Sequence, residues 1–133
     1  MTVFVDTSAY YCLLDIDEGN NEIARHIWRN LFVEDSVLVT SNYVAVESIA
    51  LIQRRLGMTA VTDFQETLLA LTQVVWIDQT VHNAALAALL TANRRHLSLV
   101  DCTSFELCRG LKAHSVFAFD KHFGEQGFQL LAP

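Results

Sequence analysis

Short apolar runs alternate with longer amphipathic stretches along this chain, and that alternation predicts its elements. The runs are Val3-Phe4-Val5, Val37-Leu38-Val39, Val74-Val75-Trp76-Ile77, Val116-Phe117-Ala118-Phe119 and Phe128 to Leu131. Runs this short, rich in β-branched and aromatic residues, read as strands buried on both faces, as at the centre of a parallel sheet. Between them the apolar positions recur at helical spacing. Thr7 to Leu14 predicts a short helix closed by the polar turn Asp15 to Asn20, and Asn21 to Phe32 places Ile23, Ile27, Trp28 and Leu31 on one face. Ser41 and Asn42 can cap a helix running to Leu56, which Gly57 ends. Thr59 to Leu71 carries an apolar stripe of Val61, Phe64, Leu68 and Leu71. Further helices are predicted from Thr80 to about Arg94, rich in Ala and Leu, and from about Asp101 to Leu111.

Strands alternating with helices imply βαβ units and an α/β fold, a mainly parallel sheet with helices on both faces. There is no internal repeat, low-complexity tract or linker, and the single proline is the terminal Pro133, so residues 1–133 are expected to form one domain.

Composition narrows the class. A chain of 133 residues buries roughly two thirds of its unfolded surface. With 52% hydrophobic and 18% charged residues, a substantial core is expected and disorder is not. The net charge of −6 argues against a nonspecific cationic nucleic-acid binder. It leaves room for an enzyme that reaches phosphates through bound cations. No stretch approaches the roughly 18 apolar residues needed to span a bilayer. The N-terminus has no basic segment and Asp6 interrupts its apolar run, so no signal peptide is expected and the chain reads as cytoplasmic. Cys12, Cys102 and Cys108 have no zinc-type spacing and read as buried free thiols in a reducing compartment.

The candidate chemistry lies in carboxylates set among apolar neighbours. Asp6 ends the first run, and Asp120 ends Val116 to Phe119 in the same way. In open α/β sheets, chemistry sits beyond the carboxyl ends of the strands, so these two would share a crevice if their strands are neighbours. Taken alone, Asp6 could equally cap the helix that follows, but two carboxylates placed alike are harder to dismiss as caps. Asp78 also follows an apolar run, and position alone does not separate it from the other two. Glu47 lies along an apolar stripe, with Val44 and Leu51 three residues before it and four after. Asp101 follows Leu97-Ser98-Leu99-Val100 and opens a helix, as a cap or as a site residue. His26, His82, His96, His114 and His122 fit no ligand spacing; His122 stands nearest the expected site.

As an ordered set, Val-Asp6-Thr7-Ser8, the helical Glu47, Leu-Ser-Leu-Val-Asp101 and Phe-Ala-Phe-Asp120-Lys121-His122-Phe resemble the PIN-domain nucleases, and most of all the small VapC-type toxins of toxin–antitoxin pairs. The resemblance covers essentially the whole chain; the gap from Asp101 to Asp120 (120 − 101 = 19 residues) accommodates the one helix and one strand that the family places there. It implies a PIN-like three-layer fold with four to five strands and a metal-dependent endoribonuclease using Mg²⁺ or Mn²⁺. It further implies that Asp6, Glu47, Asp101 and Asp120 are the acidic metal-binding and catalytic residues, while Asp78 matches no acidic motif and is left as a cap. Thr7 and Ser8 match the hydroxyls beside the first Asp, and Thr103 and Ser104 stand where some relatives supply a further polar or acidic group.

Hard oxygen ligands suit Mg²⁺ or Mn²⁺, and a phosphodiester needs its charge offset and a water activated. Phosphate contacts could come from Arg54, Arg55, the Arg94-Arg95-His96 cluster, Arg109, Lys112 and Lys121, or these could be ordinary solvated charges. Thr7, Ser8 and Lys121 are the candidates for positioning substrate. The resemblance also implies an RNA substrate, a cognate antitoxin and a homodimer, with the helices at 42–56 and 59–71 apolar enough to offer a groove or a dimer face. Two other classes remain. A non-catalytic PIN-like module is expected to lose part of the acidic set, and an aspartate-based phosphotransfer domain is expected to carry a second acid beside Asp6.

Overall fold

The computed structural model describes residues 1–113 and 115–133, so His114 lies outside the described residues. Five strands form one all-parallel sheet in the order β3-β2-β1-β4-β5: β1 (Thr2–Val5), β2 (Val37–Ser41), β3 (Gln73–Val75), β4 (Ser115–Phe117) and β5 (Gln129–Leu130). β1 is central because Val3, Phe4 and Val5 are apolar on both faces and wholly buried. The chain first builds outward from β1 through β2 to β3, then returns to β4 on the other side of β1. That reversal makes the carboxyl ends of β1 and β4 the topological switch point, where an open parallel sheet leaves a crevice.

The helices flank the sheet. α1 (Thr7–Leu14) packs on α2 (Asn21–Val33) and on α3 (Asn42–Leu56), while α5 (Gln79–Ala92) packs on α6 (Leu99–Leu111), which also meets α3. Gly57, at φ 92°, ends α3 in a backbone conformation that a side chain would strain, and α4 (Met58–Asp63) starts directly after it. Tyr10 is fully buried between the rings of Trp28 and Phe64, at centroid distances of 6.4 and 5.0 Å, and ties α1 to both neighbouring segments.

Several boundaries differ from the sequence reading, each for a physical reason. The helix expected over 59–71 is regular only to Asp63; a π turn (Phe64–Leu68) and a 3₁₀ turn (Leu69–Leu71) complete it. Here the hydroxyls of Thr67 and Thr72 bond the carbonyls of Asp63 and Leu68, competing with the regular helical ladder. α6 starts at Leu99 with Ser98 as its cap, so Asp101 lies one turn inside the helix. α7 (Lys121–Glu125) is too short to show a period and was not expected from the sequence. Strand β4 stops at Phe117 because the amide of Phe119 turns to the Ser8 hydroxyl at 2.9 Å. Among the described residues, no helix is long and apolar enough to cross a membrane. Cys12, Cys102 and Cys108 are buried and unbridged.

Candidate active site

Strand order decides which carboxylates meet. β1 and β4 are hydrogen-bonded neighbours, with Val5 opposite Phe117 and the Asp6 amide donating to the Phe117 carbonyl at 3.1 Å. Asp6 and Asp120 therefore leave adjacent strands at the same end of the sheet. Each also caps the helix that follows it: Asp6 accepts from the Ser8 amide at 3.2 Å, and Asp120 from the His122 amide at 2.9 Å. Capping and membership of the crevice are compatible, because a carboxylate has two oxygens and about four acceptor sites.

α6 delivers the third carboxylate. The Ser98 hydroxyl accepts from the Asp101 amide at 3.0 Å, and Asp101 Oδ2 accepts from the Ser98 amide at 3.2 Å, a reciprocal capping box. The box fixes the Asp101 side chain, whose Oδ2 lies 3.3 Å from His122 Nδ1. That nitrogen is also 3.3 Å from Asp120 Oδ1. One ligand atom from each of Asp101, Asp120 and His122 lies within 4.8 Å of the others, a geometry able to hold a metal ion. His122 is thus a member of the cluster. Its only sequence signal is its place two residues after Asp120, at the start of a helix.

Hydroxyls hold the remaining two acids. The Ser8 hydroxyl donates to Asp6 Oδ2 at 2.7 Å while accepting from the Phe119 amide, so one serine fixes Asp6 and the exit from β4 together. Thr7 is buried; its hydroxyl accepts from Ser48 at 3.0 Å and lies 3.4 Å from the Val44 carbonyl. It donates to that carbonyl, and it also acts on the Glu47 carboxyl, lowering it. Thr7 and Ser8 therefore face the carboxylates. Lys121 is exposed beside them.

The electrostatics are those of an acidic site short of positive charge. Burial pushes the Asp6 carboxyl up to about 7; hydrogen bonds from Ser8 oppose the rise, and the nearby charges of Asp101 and Glu47 add to it. Glu47 is raised as well, first by burial and then by Asp101 and Asp120, against the Thr7 hydrogen bond. The charges of Asp101 and Glu47 thus reach Asp6, and those of Asp101 and Asp120 reach Glu47, while Asp101, Asp120 and His122 are the three brought within ligand distance of one another. One turn past Asp101, Ser104 is fully buried and its hydroxyl has no partner among the described residues. A donor set dominated by carboxylate oxygen, with one imidazole, fits a hard or borderline divalent cation.

The remaining residues named from sequence lie elsewhere or are otherwise engaged. Asp78 caps α5, accepting from the Val81 amide at 2.9 Å, beyond the edge strand β3. Arg94 pairs with Glu125 at 3.0 Å; Arg109 bonds Gln126 at 2.7 Å and lies over the Phe128 ring. His26 contacts Asn30, His82 pairs with the Tyr43 hydroxyl, and His96 is exposed.

A parallel sheet with acidic residues gathered at its switch point defines a class in which phosphodiester-cleaving enzymes are built. The chain belongs to the PIN domain family, which matches residues 3–129. It is 30% identical over 132 residues to the 23S rRNA-specific endonuclease VapC20 of Mycobacterium tuberculosis, covering 98% of each chain. The crystal structure of that protein, described as a sarcin-ricin loop cleaving toxin, superposes with a TM-score of 0.87 at 28% identity, covering 98% of this chain and 99% of the other. The crystal structure of FitAcB from Neisseria gonorrhoeae shares the fold at a TM-score of 0.68 and 14% identity, covering 96% of this chain and 95% of that one.

Proposed function

We propose that this chain is a metal-dependent endoribonuclease of the VapC type, the toxin of a toxin–antitoxin pair, with Asp6, Glu47, Asp101 and Asp120 as its metal-holding acids. One observation carries the reading. Carboxylates remote in sequence converge at the ends of β1 and β4 with their charges acting on one another, and among the described residues no Lys or Arg pairs with any of the four. Carboxylates so placed oppose folding unless a cation joins them. The endonuclease relative names 23S rRNA as its target, which makes structured ribosomal RNA the first substrate to test here.

Mg²⁺ or Mn²⁺ fits the donors, with the His122 nitrogen favouring Mn²⁺ among the two. When bound, such a cation activates water and offsets phosphate charge. The chain's own residues set the stage. Asp101 and Asp120, fixed by their caps, present oxygens beside His122 Nδ1. Ser8 orients Asp6, and the Thr7 hydroxyl opposes the rise of the Glu47 carboxyl. Burial raises the Asp6 carboxyl to about 7, and a cation held there would lower it again. Lys121, exposed and next in the chain to Asp120, is the residue proposed to meet a backbone phosphate. A cognate antitoxin and a second copy of the chain are the partners proposed; exposed Val46, Met58 and Leu71 on the segment from α3 to the end of the 3₁₀ turn offer apolar surface to either.

Incubating the protein with 23S rRNA in Mg²⁺, Mn²⁺ or EDTA tests the reading. Discrete cleavage with metal, its loss in EDTA and its loss in Asp101→Asn are expected. Cleavage that persists in EDTA, or in the variant, contradicts it.

A further inference from the structure

The acid cluster can engage one phosphodiester, but a polynucleotide has to continue past it, and the carboxylates repel every neighbouring phosphate. A cleft of about 340 Å³ opens beside Glu47, lined by Thr7, Glu47, Ala50, Leu51 and Arg54. Four of these five belong to α3 at positions 47, 50, 51 and 54, which is one helix face. The face starts at the acid cluster and ends at a guanidinium, with two apolar side chains between. The separation is 54 − 47 = 7 residues, or about 10 Å of helix.

Adjacent Arg55 is employed differently. Its guanidinium lies over the Tyr11 ring, 5.4 Å from the centroid, and its charge acts on Asp15. Arg54 makes no ion pair among the described residues and lines the cleft. Two consecutive arginines are thus divided: one fastens α3 to α1, and the other faces the space that leads out of the site.

We propose that the cleft from Glu47 to Arg54 is a nucleotide subsite, receiving the ribonucleotide next to the scissile phosphate, with Arg54 on its phosphate and Ala50 and Leu51 against its apolar surface. The proposal rests on the nuclease reading above and deepens it. Arg54 is a positioning residue: it acts on the backbone without reading the base, so it strengthens binding of any sequence alike. A cleft with two apolar side chains along it and one cation at its end suits such a unit, which offers apolar surface on its base and sugar and charge on its backbone.

The test uses the wild-type acid cluster with Ca²⁺, which takes carboxylate oxygens in place of Mg²⁺, and a short fluorescein-labelled oligoribonucleotide of mixed sequence, read by anisotropy across a salt series. Adding Arg54→Ala is expected to weaken binding about fivefold and to lower the log–log salt slope by about 0.7. Adding Arg55→Ala, matched for folded fraction by circular dichroism, is expected to leave that slope unchanged. Ala50→Glu, at an exposed position, is expected to weaken binding as Arg54→Ala does. In the cleaving enzyme, Arg54→Ala is expected to raise KM about fivefold while kcat stays within about twofold. Equal salt slopes for the Arg54 and Arg55 variants, or binding unmoved by both Arg54→Ala and Ala50→Glu, overturn the subsite. Those results leave the nuclease reading standing if wild type still cleaves with metal; absence of metal-dependent cleavage in wild type removes both.

Discussion

Asp78 and Asp120 sit in nearly the same local setting: each follows a short apolar strand and each caps the next helix, accepting an amide at 2.9 Å. Their surroundings differ entirely. Asp120 leaves β4, beside central β1, and meets Asp101 and His122; Asp78 leaves β3, the sheet edge, and is exposed. A cap is a local arrangement that any strand-to-helix junction can make, whereas a site needs a neighbour that is distant in sequence. What separates a structural aspartate from a site aspartate here is the place of its strand in the sheet.

The largest effect should come from the central acids. Asp6→Asn and Asp120→Asn keep the shape and a capping oxygen, yet cleavage should fall by at least about 10³-fold; Asp78→Asn should stay within about twofold, measured on the same RNA. Equal losses at all three positions would erase the comparison.

Metal-free stability comes next. Because the folded Asp6 carboxyl titrates near 7 rather than at its ordinary 3.8, the native state holds a proton that the unfolded chain has already released. Stability from this group is complete below the unfolded value and is lost as pH rises through about 7. The loss amounts to roughly 4 kcal/mol at most. Melting in EDTA should therefore show Tm falling from pH 4 to pH 7 in wild type, with a flatter profile and a higher neutral Tm in Asp6→Asn. Asp78→Asn should follow wild type.

Loosening a support should do less than removing an acid. Ser8→Ala leaves all four carboxylates but frees Asp6 and the Phe119 amide, and a cost of about 10- to 100-fold in metal affinity or cleavage is expected. Smallest of all, Asp78→Ala should cost about 1 kcal/mol in denaturant unfolding, the usual value of a helix cap, with cleavage unchanged.

Much of this was legible in the sequence. The apolar runs mark all five strands, and Ser41, Gly57 and the amphipathic spacing locate α1, α2 and α3 to within a residue. Asp6, Glu47, Asp101 and Asp120 could be named through the family's ordered motifs. Separating Asp78 from Asp120 by position was not possible, because strand order is a long-range property. The capping box Ser98-Leu99-Val100-Asp101 was readable and would have set the start of α6 correctly. His122 lies inside the last of the family's motifs, but as a ligand it has no signal of its own: it joins the cluster because α7, five residues long, turns it back toward Asp101. The π turn at Phe64–Leu68 reflects hydroxyls competing for carbonyls, which periodicity does not register.

The central claim, that the acids at the ends of β1 and β4 act together to hold a divalent cation, is tested most directly by calorimetric titration of Mn²⁺ into wild type, Asp120→Asn and Asp78→Asn at neutral pH. Saturable binding in wild type and Asp78→Asn, with proton release and with loss of binding in Asp120→Asn, is the expected result. Binding that survives Asp120→Asn unchanged, or that disappears with Asp78→Asn instead, would contradict it.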